Sequence, residues 1–291
     1  MNICVMGHIT KDINILNNRK VELPGGTAYY TTAALHSLNS DTALITKLSQ
    51  RDEYLLHEFT DRGIPIFPRY SKETTIFENI YANDLEVVEQ RVLTTADPFT
   101  VEDIPEGLSP KYLHIGSLTR NDFSEEIFST LSKKTIISLD VQGFLRDVSK
   151  NRVTLKEWED KEEILSHVGI LKASLDEAKI LSGLNDLQAA AEYISNLGPM
   201  EIIITMGNQG SIIYHKGLFY VIPAFQSSSI VDPTGCGDTY MAGYLYMRSR
   251  INDFYKIGLF ASALASLKLS RIGPFWGSIN EVLQLIGEDA L

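Results

Sequence analysis

The chain predicts an α/β fold, a mostly parallel sheet covered by helices on both faces. Three observations carry this. Short apolar runs alternate with longer amphipathic segments, which is the rhythm of βαβ units. Several runs end in Gly, Asp, Ser or Thr, and ligands of open parallel sheets sit at the carboxyl ends of strands. The 291 residues are 44% hydrophobic and 22% charged, an ordinary globular make-up. A single domain of this length, spanning 1–291, can bury about three quarters of its extended surface.

In chain order, core strands are expected at 3–6, 42–46, 111–115, 135–139, 168–171 and 202–205, each a short apolar run bounded by turn residues. Helices are expected at 28–38, 52–61, 124–131, 175–181, 187–197, 238–248, 253–270 and 279–285. The segments 210–215 and 218–222 flank Lys216-Gly217 and read as a hairpin. Two polar, β-rich stretches break the rhythm, at about 12–22 and 74–96. The second alternates in Ile76-Phe77-Glu78-Asn79-Ile80-Tyr81-Ala82. They are expected to form a small sheet inserted at the edge of the main domain, with a solvated meander of no further role as the plainer reading.

Net charge is −11, from 26 basic and 37 acidic residues. A nucleic-acid binder would carry a basic footprint, so no nucleic-acid partner is expected. Two cysteines, Cys4 and Cys236, make no disulfide framework and suit a reducing cytoplasm. No apolar run is long enough for a bilayer, and Met1-Asn2-Ile3-Cys4-Val5-Met6-Gly7 lacks the pattern of a signal peptide. The six histidines have no metal spacing, and the P-loop signature is absent.

The most informative stretch is Val231-Asp232-Pro233-Thr234-Gly235-Cys236-Gly237-Asp238, followed by a helical run. Gly235 and Gly237 leave room for an anion to reach the main chain. First-turn amides have no partner inside a helix and sit at the positive end of its dipole. Such donors stabilise the charge that spreads over a moving phosphoryl group. Asp238, next to this cradle, can orient an acceptor hydroxyl and take its proton. The plainer reading is a tight turn with Asp as a helix cap. Cys236 reads as a small space-filler, with a reactive thiol as the alternative.

The string resembles the C-terminal signature of the ribokinase-like (PfkB) carbohydrate kinases, usually Asp-Thr-x-Gly-Ala-Gly-Asp. The resemblance implies a ribokinase-like three-layer α/β/α sandwich with a small β-sheet lid. It also implies transfer of the ATP γ-phosphate to a hydroxyl of a sugar, nucleoside or related polyol. Asp238 would be the catalytic base, and the amides of Gly235, Cys236 and Gly237 the anion hole. Pro233 and Cys236 depart from the pattern without removing a side chain on which the chemistry depends.

Further segments resemble the family in order along the chain. Asp12, after the first strand, matches its acidic residue for sugar hydroxyls, which can accept from two hydroxyls at once. Pro24-Gly25-Gly26-Thr27-Ala28 matches the N-terminal Gly-Gly signature, so Gly25 and Gly26 approach the substrate. Tyr30 stands where the family usually has Asn. That change makes a ring polyol such as inositol, or a nucleoside, as plausible as ribose or fructose, and Tyr30→Asn is expected to shift preference with little loss of stability. Asp140 and Arg146 follow a strand end that lines the site in the family. Arg146 is equally readable as a structural ion pair.

Ser174-Leu175-Asp176-Glu177 resembles the Asn-x-x-Glu segment that organises magnesium, with Glu177 as the metal residue; Ser174 is also an ordinary helix cap. Thr205, Gly207 and Gly210 match a nucleotide turn, though a strand-to-hairpin turn needs such glycines too. Ser262 falls where an Asn often borders the adenine, on a run that helix packing explains by itself. The whole predicts an ATP- and Mg²⁺-dependent kinase of a small sugar or polyol, with an inositol or nucleoside kinase, or a silent metabolite sensor, as alternatives. A homodimer through the lid is the expected assembly.

Overall fold

The computed structural model describes residues 1–17, 19–81, 87–227 and 229–287. The main sheet has nine strands. In spatial order they are β15 (Leu218–Ile222), β14 (Ser211–His215), β13 (Glu201–Thr205), β12 (Ile170–Ser174), β9 (Ile136–Asp140), β8 (Tyr112–Gly116), β1 (Ile3–Met6), β4 (Thr42–Ser49) and β5 (Ile66–Ser71). From β5 to β13 all neighbours are parallel. The hairpin β14–β15 closes the far edge antiparallel. Its turn residues Lys216 and Gly217 have φ of 48° and 82°, the two left-handed positions of a tight hairpin.

Alternation along these strands builds two cores, one on each face of the sheet. Ile3 and Val5 of β1 and Ile203 of β13 face α1 (Thr27–Ser37), α7 (Cys236–Arg248), α8 (Phe254–Leu269) and α9 (Ile279–Ile286). Phe59 of the short α2 (His57–Thr60) joins that side. Cys4, Met6, Ile202 and Ile204 face α3 (Glu125–Leu131), α4 (Lys161–Leu165), α5 (Leu175–Ser182) and α6 (Leu187–Asn196). This is the three-layer sandwich. Gly243 of α7 lets the α8 backbone come close, since a Cβ there would lie 2.9 Å from Ala261 Cα.

A second sheet of six strands caps one end. Its order is β10 (Arg146–Ser149), β11 (Arg152–Leu155), β7 (Val87–Thr94), β6 (Ile76–Tyr81), β2 (Thr10–Leu16) and β3 (Arg19–Gly25). The β-rich stretches at 12–22 and 74–96 fall in this sheet, except that 82–86 lie outside the described residues.

Four elements differ from expectation. The helix expected at 52–61 is a 3-10 turn, Gln50–Leu56, followed by α2. There Asp52 is buried and accepts from Thr74 Oγ1 at 2.6 Å, a tertiary bond that competes with regular helix. The hairpin β10–β11, the short α4 and strand β5 were not foreseen. β5 carries Pro68, which an edge strand tolerates. Among the described residues, no helix is long and apolar enough to cross a membrane.

Candidate active site

A cleft of about 330 Å³ lies between the second sheet and the carboxyl ends of the parallel strands. The first turns of α1 and α7 both reach it, through Gly26 and Thr27 on one side and Gly235, Gly237 and Asp238 on the other. Two positive helix ends therefore face one space. Gly26 has φ 93°, and a Cβ there would overlap the His8 carbonyl, so only glycine lets β3 turn into α1 at this point.

The centre is a buried cluster of charges. Lys172 comes from the middle of β12, on the strand face shared with Ile170. Its Nζ donates to Asp140 Oδ2 at 2.9 Å. A Cβ on Gly237 would lie 3.1 Å from that Nζ, so the ammonium stands directly over the anion loop. Burial opposes its charge, but Asp140, Glu177 and Asp238 outweigh it and hold the ammonium above its ordinary pKa. Asp140, at the end of β9, also accepts from the Gln142 amide at 3.1 Å. Arg146, at the start of β10, faces Glu177, Asp140, Asp238 and Asp12, and burial lowers its pKa. His114, buried beside Lys172, is pushed down to about 3, by burial first and that neighbouring charge second, and stays neutral.

Asp238 is the group in this cluster poised to titrate. Burial and Asp140 push its carboxyl up to about 6, against the opposing pull of Lys172, a hydrogen bond from Thr27, and Arg146. Asp12 is likewise raised by burial to about 6, partly offset by Thr10 and Arg146. Thr10 Oγ1 donates to its Oδ1 at 2.6 Å.

Gly235 caps α7 with φ 76°, and a Cβ there would overlap the ring of Tyr30. The cradle is therefore built against an aromatic wall. The Cys236 amide donates to the Pro233 carbonyl at 3.2 Å and closes the turn, whereas the amides of Gly235 and Gly237 carry no acceptor among the described residues. Burial raises the Cys236 thiol to about 11, away from thiolate reactivity.

Of the residues expected from sequence, Asp12, Gly26, Tyr30, Gly235, Gly237 and Asp238 line the cleft together. Gly25 lies against the Asp12 carboxylate. Asp140 stands one step back, engaged with Lys172. Tyr30 is only 6% exposed and packs on Tyr29 and Gly235, so replacing it removes a structural wall as well as a pocket residue, contrary to the expected small effect on stability. Thr205, Gly207, Gly210 and Ser262 lie outside this cleft. Thr205 ends β13, Gly207 and Gly210 frame the turn into β14, and Ser262 Oγ donates to the Pro223 carbonyl at 2.7 Å.

Several lining residues were missed. Lys172 had a signal, a lone charge in an apolar strand. Phe77, Asn79 and Gln90 from β6 and β7 had none stronger than alternation, and only folding links them. Gln90 Nε2 donates to Asn79 Oδ1 at 2.8 Å, and Asn79 Nδ2 to Asn14 Oδ1 at 3.0 Å. Tyr81, from the same sheet, meets Thr234 of the cradle.

Glu177, the expected metal residue, accepts from the Ser174 amide at 2.7 Å while its own amide donates back to Ser174 Oγ at 3.3 Å. This is a reciprocal helix cap. Among the described residues no group of three His, Cys, Asp or Glu could hold a metal. The Glu177 carboxylate is thus already engaged by the backbone at the start of its own helix.

Residues 2–275 match the pfkB family carbohydrate kinase. The cytidine kinase of Thermococcus kodakarensis is 27% identical over 271 residues, 89% of this chain and 94% of that one. The inositol 3-kinase of Arabidopsis thaliana is 29% identical over 258 residues, 84% of this chain and 67% of that one. A solved pyrophosphate-dependent myo-inositol-1 kinase, converted by substitution into a myo-inositol-3 kinase, superposes with a TM-score of 0.86 at 29% identity, covering 99% of both chains. Arabidopsis thaliana ribokinase, solved with ribose and ATP, shares the fold at a TM-score of 0.79 and 17% identity over 98% of each chain. A family match along nearly the whole chain, a shared fold and a carboxylate beside an open anion loop agree: this chain belongs to the pfkB family of carbohydrate kinases, phosphotransferases that act on an alcohol group.

Proposed function

We propose that this kinase phosphorylates a ring polyol of cyclitol size, with ATP as donor and Asp238 as base. The observation that carries the acceptor reading is the polar lining that shares the cleft with Asp238. Asp12, Asn79, Gln90, Gln142 and Arg146 offer acceptors and donors on several sides of a space of about 330 Å³, the requirement for holding several hydroxyls at once. The second sheet acts as the lid that shuts water out, its Tyr81 meeting Thr234 across the opening. Dimerisation through this lid is part of the same proposal, and two free thiols suit a reducing cytoplasm.

The acceptor hydroxyl gives its proton to Asp238, and its oxygen attacks the donor's terminal phosphorus in line. The bond to the bridging oxygen breaks, and ADP leaves with the electron pair. The Gly235 and Gly237 amides and the Lys172 ammonium receive the charge that builds on the phosphoryl oxygens. Asp140 positions Lys172. A bound Mg²⁺, supported by Glu177, would neutralise donor phosphate charge. Thr205, Gly207, Gly210 and Ser262 would border the nucleotide.

A second reading of the donor has its own support. Lys172 over the loop makes a compact cationic site that suits pyrophosphate, and a relative of 29% identity is named as pyrophosphate-dependent. One experiment sorts both questions: phosphorylation of inositols, pentoses, hexoses and nucleosides with Mg-ATP or Mg-pyrophosphate. Turnover of an inositol with ATP supports the proposal. A nucleoside as sole acceptor overturns its acceptor half, and pyrophosphate as sole donor overturns its donor half.

A further inference from the structure

Lys268, in the last turn of α8, has no exposed surface at all and takes no part in the chemistry above. Its Nζ donates to the Asp232 carbonyl at 2.7 Å and to the Arg271 carbonyl at 3.3 Å, and it pairs with Asp232 Oδ2 at 3.0 Å. Its positive charge lies 5.6 Å from the centroid of the Tyr30 ring, the wall against which Gly235 packs. A buried ammonium survives only when oxygens replace its water. These oxygens belong to the segment that leads into the cradle.

That segment is held by the same few groups. Asp232 Oδ1 accepts from the Thr234 amide at 2.9 Å, and Oδ2 from the Gly273 amide at 3.2 Å. The Val231 and Asp232 amides donate to the Leu269 carbonyl at 2.9 and 3.2 Å. Without a cation, Asp232 and two carbonyls would converge on an empty, buried, negative spot at the end of α8. That end carries the negative pole of the helix dipole as well. The loop would then shift, and the Gly235 and Gly237 amides with it.

An ammonium and a potassium ion have nearly the same size and the same preference for carbonyl and carboxylate oxygen. We propose that Lys268 is a tethered monovalent cation, which fixes the anion loop through Asp232 and makes phosphoryl transfer independent of added potassium. It is a positioning residue, acting on the donor through the loop. The inference rests on the reading of that loop as the phosphate cradle.

The test compares the wild type with Lys268→Ala, whose short side chain leaves room for an ion beside the Asp232 oxygens, in potassium, ammonium and choline salts. In the wild type, kcat and the melting temperature are expected to change less than about twofold and about 1 °C between salts. In the variant, kcat in choline should fall about 100-fold or more, chiefly in kcat rather than acceptor KM, and about 0.1 M potassium or ammonium should restore at least tenfold. The same ions should raise the variant's melting temperature by about 2–4 °C over choline, the signature of binding to the native state. The melting readout needs no substrate, so it stands even if the acceptor reading fails. A wild type that needs potassium, or a variant indifferent to all ions, overturns the proposal. A variant that folds in potassium and not in choline supports it, and one unfolded in every salt overturns it.

Discussion

Replacing Lys172 by Met keeps most of the side-chain volume and deletes one charge from the centre of the site. Lys172 holds Asp140 at 2.9 Å and also acts on Asp238 and Glu177. An opposite charge within about 4–6 Å lowers a carboxyl pKa by roughly 1–3 units. Asp238 stands at about 6 with Lys172 present. With a shift of about 1.5 units, it would titrate near about 7.5 in the variant. At pH 7 its ionised share then falls from about nine-tenths to about a quarter, a loss of roughly fourfold that alkaline pH restores. A second loss does not depend on pH. A charge-assisted bond to the donor phosphate, worth about 1.5–3 kcal/mol, corresponds to roughly 10- to 150-fold in kcat/KM. Together these predict a fall of roughly 50- to 600-fold at pH 7. Removing one partner of a buried pair also costs about 3–5 kcal/mol of stability, so the variant is assayed cold and its fold checked by circular dichroism. The measurement is kcat/KM for donor from pH 5 to 9. An acid limb that stays in place in folded Lys172→Met would refute the coupling between Lys172 and Asp238.

Three further outcomes are expected. Asp238→Asn should lower kcat by about 10²- to 10⁴-fold while donor still binds; it should also stabilise the fold at pH 7–8. The native carboxyl is raised from 3.8 to about 6, so the stability linked to it is full below pH 4 and lost as pH rises through 6. Asn escapes that loss, of order 3 kcal/mol, and the gain in melting temperature should vanish near pH 4. Gly235→Ala should destabilise by about 2 kcal/mol or more, from the left-handed backbone and the overlap with Tyr30. Urea titration of Gly235→Ala, Tyr30→Ala and the double variant should show the second change relieving only the steric part. Asp12 should show itself in acceptor KM. Its carboxylate is lost as pH falls through about 6, so wild-type KM should rise there, and Asp12→Asn should have a high KM flat across that range.

Much of this was legible because a parallel sheet writes itself in short apolar runs, and the loops at their ends carry chemistry. The string at Asp232 to Asp238 needed no folding to be read, since its residues are adjacent. What adjacency could not supply was register. The pairing of β2 with β6 and of β6 with β7 places Asp12, Phe77, Asn79 and Gln90 on one wall. Nothing local in 76–90 says which face that is. The hairpin β10–β11 was hidden because Arg146 to Leu155 is mostly polar, and its pairing to the rest of its sheet runs through Arg152 and Arg91. Lys172 and Lys268 were overlooked for the opposite reason. Each is a single charge in a run otherwise apolar enough to be dismissed as core, although a lysine left in a core needs oxygens around it.

The carboxylates of the site divide by what their oxygens already do. Asp140 has Oδ1 on the Gln142 amide and Oδ2 on Lys172, so both of its oxygens are already engaged, one with the chain and one with a cation. Glu177 closes the cap of α5. Asp12 accepts from Thr10 and lines the cleft from β2 of the second sheet. Asp238 has a threonine hydroxyl as partner, the anion loop beside it and a pKa raised toward the working range by burial and Asp140. A general base must be ionised near neutral pH yet gain by taking a proton. Asp140 makes Asp238 easier to protonate and Lys172 keeps it ionised, while Lys172 is itself held by Asp140. In the proposed reaction the three side chains would act as one device, with Asp238 the member that exchanges a proton with the substrate.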